Sequence, residues 1–149
     1  MSWSTDLLTG IAAYLASKGR ADWRPDGSVY LPTETALCLT RLPADPDRAV
    51  ALSLYTIDAD GTGNVLVGLQ VRSRAGVDPD GVLSLADGIR YELDGLNALD
   101  LGGVVVNHIF HRAGEDIGAD QGEDVNRRCQ RVDNFYVQAK RITPLQPIV

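Results

Sequence analysis

The chain has 149 residues, 44% of them apolar and 23% charged, with a formal net charge of −6 at pH 7. That composition fits a globular protein long enough to bury a core and argues against a disordered tract, and the acidic balance disfavours a sequence-independent grip on nucleic acid, which needs Lys and Arg to displace counterions. Two cysteines, Cys38 and Cys129, are too few for a disulfide framework, and no apolar run approaches the ~20 residues that span a bilayer.

The stretch MSWSTDLLTG has no basic region followed by an apolar one, so a cytoplasmic site of synthesis and reduced thiols are expected. Ser4, Thr5 and Asp6 form a capping cluster before LLTGIAAYLASKG. Leu7, Leu8, Ile11 and Leu15 recur at three- and four-residue spacing, which predicts an amphipathic helix that stops at Gly19. Residues 21–32 are turn-rich around Pro25-Asp26-Gly27.

TALCLTRL (35–42), AVALSLYTI (49–57) and NVLVGLQVRSR (64–74) read as strands. Their connections are short and rich in Pro, Asp and Gly, which predicts an antiparallel meander. In the third strand Val65, Val67, Leu69 and Val71 share one face, and Gln70, Arg72 and Arg74 share the other. One face is therefore buried and the other is wet or meets a partner.

Asp78 caps a second helix with Pro79 at its first position. Val82, Leu85, Ala86, Ile89 and Leu93 form its apolar stripe, and Gly95 ends it. VVVNHIFHR (104–112) and VDNFYVQAKRI (132–142) supply two more strands, with an acidic loop at about 113–126 between them. The order α-β-β-β-α-β-β predicts an α+β fold: a mixed, largely antiparallel β-sheet of about five strands with two helices packed on it, in a single domain over 1–149.

Little here points to chemistry. Asp58-Ala-Asp60-Gly-Thr62-Gly63 begins like a calcium loop, but Leu69 stands where a bidentate Glu is needed and no helices flank it, so a hairpin turn is the better reading. His108 and His111 lie three apart on a strand and so face opposite ways. No phosphate-cradling glycine pattern and no nucleophile elbow occurs. Arg128 and Arg131 lie near Cys129, yet a packed thiol is preferred to a reactive one. No catalytic residue, metal or cofactor is expected.

The charged stretch EDIGADQGEDVNRRCQR stands apart. Glu115, Asp116, Asp120, Glu123 and Asp124 precede Arg127, Arg128 and Arg131. A solvated loop is the plain reading, with no regular ligand spacing to favour a cation. Complementary patches that pair between subunits or with a partner are the sharper one. Together with Gln70, Arg72 and Arg74, these residues form the candidate subunit or partner interface.

Several segments together carry a likeness: the opening helix DLLTGIAAYLASKG, the strand VGLQVRSRAG, the Asp78-Pro79 start of a helix containing LADGIRYELDGL, and the closing RVDNFYVQAKR after an arginine-bearing segment. In these the chain resembles the tail terminator proteins of long-tailed bacteriophages, a group of minor capsid or minor tail proteins. The resemblance spans nearly the whole chain and rests on the ensemble; Phe135 between Asn134 and Tyr136 departs from the usual Asn-Tyr-aliphatic ending. It implies a hexameric ring that caps the tail tube, stops its polymerisation and joins the tail to the head. It implies as partners the chain itself, the major tail tube protein and a head-completion or stopper protein, with DNA passing through without sequence-specific binding and no membrane. It implies a place in the virion at the head-proximal end of the tail, after assembly in the host cytoplasm. It carries over no catalytic residue. Another neck or head-completion component, and a small metal-dependent enzyme, are the alternative readings.

Overall fold

A computed structural model describes residues 2–117 and 127–141. Helix α1 spans Trp3–Ser17 and is capped by Ser2, whose hydroxyl accepts from the Thr5 backbone N–H at 3.0 Å. The expected cluster Ser4-Thr5-Asp6 therefore lies inside the first turn rather than before it. Helix α2 spans Pro79–Leu93, and the Asp78 carboxylate accepts from the Asp80 N–H with Pro79 at the first position, as the sequence predicts. Gly19 and Gly95, at φ +73 and +91, follow the two helices in the left-handed region that costs glycine nothing. Among the described residues no helix is long and apolar enough to cross a membrane.

Among the described residues seven strands form one sheet: β1 (Asp22–Trp23), β2 (Ala36–Leu39), β3 (Ala49–Ala59), β4 (Asn64–Arg74), β5 (Asn97–Leu101), β6 (Val104–Ile117) and β7 (Gln130–Lys140), in the order β1-β2-β3-β4-β7-β6-β5. The fold is α+β with a mixed sheet, as expected, but the count of about five strands is corrected to seven. The meander is corrected too. β3 and β4 form the expected antiparallel hairpin, whereas β2 runs parallel to β3, pairing Ala36–Leu39 with Ala49–Leu52. Parallel neighbours ordinarily need a dozen or more connecting residues. Here β2 is only four residues long, so the nine residues 40–48, reaching at most ~30 Å, suffice to return the chain to its start.

Residues 113–117 of the acidic loop expected at about 113–126 are strand, and residues 118–126 lie outside the described residues. Ala113–Ile117 continue β6 and pair with Gln130–Asn134 of β7. Acidic composition hid a strand end whose partner is the start of β7.

Both helices cover one face of the sheet. Leu7, Ile11 and Leu15 of α1 and Leu85, Ile89 and Leu93 of α2 join Val50, Leu52, Val67, Leu69, Val71, Ile109, Phe135 and Val137 in a single core. Phe135 is fully buried, as is Leu69 opposite it, and each such side chain contributes roughly 1.5–3 kcal/mol by leaving water. Gly10 of α1 lets the helix lie against the β5–β6 turn: a Cβ there would stand 2.3 Å from Gly102 N. The opposite, open face carries Ser53, Tyr55, Gln70, Arg72, Asn134, Tyr136, Gln138 and Phe110 by strand alternation.

Candidate functional site

The expected interface residues divide into distinct environments. Gln70 and Arg72 lie half-buried on the open face, between Ser53 and Asn134 and between Ala51 and Val132. Arg74 shares that face by alternation but is only 3% exposed. The 40–48 segment lies over it, and its guanidinium donates to the carbonyls of Asp47 (3.0 Å) and Pro46 (2.6 Å). Arg74, expected on a wet or partner-contacting face, is a buried brace for the connection that makes β2 parallel.

Arg128 is likewise buried. Its Nη1 donates to the Ala44 carbonyl at 2.8 Å and stands 3.5 Å from Asp47 Oδ1, so the same segment holds it. Arg127 is exposed, at φ +56. Arg131 lies along the helix-covered side of β7, bridging Asp116 (2.9 Å) and Asp133 (3.1 Å). Asp116 and Arg131, members of the acidic and basic patches expected to serve an interface, pair with each other across β6 and β7 of one chain. Glu115, its neighbour on the open side, is exposed. Asp120, Glu123 and Asp124 lie outside the described residues.

Asp133 escaped the sequence reading. It is 3% exposed, in register with Val71, and its second oxygen accepts from His111 Nε2 at 2.9 Å. Gly114 makes room for this cluster, since a Cβ there would lie 2.4 Å from Arg131 Nη2 and from Asp133 Oδ1. The available signal was alternation: 133, 135, 137 and 139 share a face, and an aspartate on an apolar face needs partners. His108 faces the other way, with its ring stacked on Phe110 at 5.3 Å, so the two histidines point to opposite faces as their spacing requires.

The open face carries an aromatic row. The Tyr55 ring covers Gly68, where a Cβ would meet its Cζ at 2.0 Å, and the Tyr55 hydroxyl donates to Asn134 Oδ1 at 3.2 Å. Tyr136 meets Phe110 edge-on at 5.5 Å, and the Arg112 guanidinium lies over the Tyr136 ring at 5.8 Å. Mid-strand Gly68 was the readable sign of a close approach.

A shallow groove at the β3–β4 turn is lined by Asp58, Asp60, Asn64, Asn107 and Gln138. Its Asp60 carboxylate is committed to the turn. The Thr62 hydroxyl, the Thr62 N–H and the Asn64 side chain hold its pKa down to about 2. The segment is a hairpin turn, as expected. Among the described residues no group of three His, Cys, Asp or Glu side chains comes together in a form that could hold a metal. Burial pushes the Cys38 thiol up, and Cys129 Sγ contacts the Val77 carbonyl at 3.5 Å.

The most informative geometry is at the sheet's edges. β2 covers β3 only over Ala49–Leu52, so Ser53–Ala59 have β4 on one side and no strand on the other among the described residues. β5 covers β6 only as far as His108, so Arg112–Ile117 have β7 on one side and, among the described residues, no strand on the other. Tyr55 and Ile57 on the first edge are 42% and 37% exposed.

The chain matches no protein-family model and no curated protein. Among solved structures it is similar to a chain of the structure described as "Virion of native gene transfer agent (GTA) particle", at 14% identity, with a TM-score of 0.64 over 93% of this chain and 99% of that one. The fold described above is thus similar to that of a chain of that particle.

Proposed function

We propose that this chain is a structural component of a phage-like virion and acts there as a tail terminator. Copies assemble into a ring, hexameric when complete, that caps the tail tube, stops its polymerisation and presents the surface on which head and tail join. Its partners are itself, the major tail tube protein and a head-completion or stopper protein, and DNA passes through the ring without being read. The chain is made in the host cytoplasm and ends at the head-proximal end of the tail. It works by shape and surface complementarity rather than by turnover.

The observation that carries this reading is the end-to-end likeness to a chain of the gene transfer agent virion, which covers 93% of this chain and 99% of that one. Long exposed strand edges, which invite pairing with another chain, support an assembly role. The test is deletion of the gene in the producing genome, followed by electron microscopy of the particles. Tails of uncontrolled length, unjoined to heads, are expected. Joined tails of normal length overturn the reading, and tails of normal length beside unjoined heads assign the chain to head completion instead.

A further inference from the structure

We propose that the two free edges are halves of one contact, with residues 53–59 of one copy pairing antiparallel with residues 112–117 of the next copy. This deepens the ring reading above and rests on it. The backbone sets the register. Thr40 N–H donates to the Leu52 carbonyl at 2.8 Å, so Leu52 turns its peptide groups away from β4, and alternation turns those of Leu54 and Thr56 the same way. On β6, Ile109 bonds to Gly95 and Leu96 on the β5 side. After the bulge between His111 and Ala113, Gly114 and Asp116 take up that outward orientation opposite Asp133 and Arg131.

Each edge therefore offers two outward residues, two positions apart. Pairing Leu54 with Asp116 and Thr56 with Gly114 satisfies both, keeps helix face with helix face, and carries Asp58 of one copy toward Arg112 of the next. The outlines match as well. β2 ends just before Ser53 and β5 just before the free part of β6, so the step left by one fits the overhang of the other. Exposed strand edges are usually blunted by Lys, Pro or a covering loop. Residues 53–59 contain neither Lys nor Pro and instead expose Tyr55 and Ile57, which suits an edge that becomes covered.

The geometry closes. Within one copy Thr56 lies in line with Val67 and Val137, and Gly114 lies in line with Asp133, four residues back along β7. Each contact thus steps ~13 Å along the strands for every ~19 Å crossed by the four strands β3, β4, β7 and β6. That slope is about 35°, the tilt at which sheets close into barrels.

The test uses the full chain carrying Tyr55→Cys, Glu115→Cys or both, oxidised and compared on non-reducing gels with the parent, which controls for Cys38 and Cys129. Tyr55 and Glu115 would form a non-hydrogen-bonded pair with Cα atoms ~4.5 Å apart, within disulfide reach. The double variant is expected to give a covalent ladder ending in one closed species, and the mixed single variants only heterodimers. Homodimers from either single variant, or no linkage in the double variant, overturn the pairing. Thr56→Pro removes an edge donor and spares the β4 bonds. It is expected to stay folded by circular dichroism and to lose self-association by mass measurement, and an unchanged mass overturns the pairing. Particles that contain the double variant without the linkage reject this contact and leave the virion reading standing.

Discussion

His111 Nε2 and Asp133 Oδ1 stand 2.9 Å apart between β6 and β7, with side chains 9% and 4% exposed. Asp133 also accepts from Arg131, so one buried carboxylate ties together the strand that begins the hairpin and the strand that ends it. Removing it leaves two donors facing a vacated acceptor. Asp133→Ala is expected to cost about 3 kcal/mol in urea unfolding, and Asp133→Asn, which keeps an acceptor oxygen, about half of that. Equal losses for the two variants would reduce the site to packing alone.

Gly10 gives a prediction whose sign runs against helix propensity. In an exposed helix Gly→Ala stabilises by about 1 kcal/mol. Here the added Cβ would meet the backbone of Leu101 and Gly102 at 2.3 Å, and backbone cannot rotate aside. Gly10→Ala is expected to destabilise by about 2 kcal/mol, read as a lower midpoint in thermal unfolding.

Ser73 is buried with 0% exposure, and its hydroxyl has no hydrogen-bond partner among the described residues. It stands between Val50 and Arg131 in the sheet. A buried hydroxyl without a partner costs stability, so Ser73→Ala is expected to be neutral or to stabilise by up to about 1 kcal/mol. A loss above that would reveal a partner for the hydroxyl.

What the sequence disclosed follows what is local. The Asp78-Pro79 cap, the β4 alternation and the Asp60-Gly61 turn are written in neighbouring residues, and each has its expected form. The parallel β2–β3 pair is not local, because it depends on where residues 40–48 rest. β5 (NALDL) lacks a clean apolar alternation and includes Ala98 at φ +53, so nothing in its composition marked a strand. For the interface, alternation placed Arg72 and Arg74 on one face but could not show that residues 40–48 bury Arg74 and leave Arg72 half-buried. The free edges were invisible for the same reason: a strand's lack of a neighbour is a property of the whole sheet.

Arg74 supplies a test of that cover. Arg74→Met keeps most of the buried stem and removes the donors to Pro46 and Asp47. A loss of about 2 kcal/mol is expected, with faster amide exchange over 36–39 and 44–52 than over 130–140. Uniform acceleration across the sheet would mean that Arg74 supports the core as a whole rather than this connection.

The turn at the tip of the β3–β4 hairpin should answer to acid. Asp60 has its pKa lowered from 3.8 to about 2 by the Thr62 hydroxyl, the Thr62 N–H and the Asn64 amide. A folded-state value below the unfolded one means that the ionised carboxylate favours the fold. Its contribution is complete above about pH 4 and is lost as the pH falls through 2. The stability difference between the parent and Asp60→Asn is therefore expected to be largest near neutral pH and to shrink between pH 4 and about 2, with the Thr62 amide resonance moving over the same interval. A difference that stays constant down to pH 2 would show that the turn holds without the charge. Since this turn closes the hairpin whose outer edge is free, acid should weaken pairing through residues 53–59 before it unfolds the core.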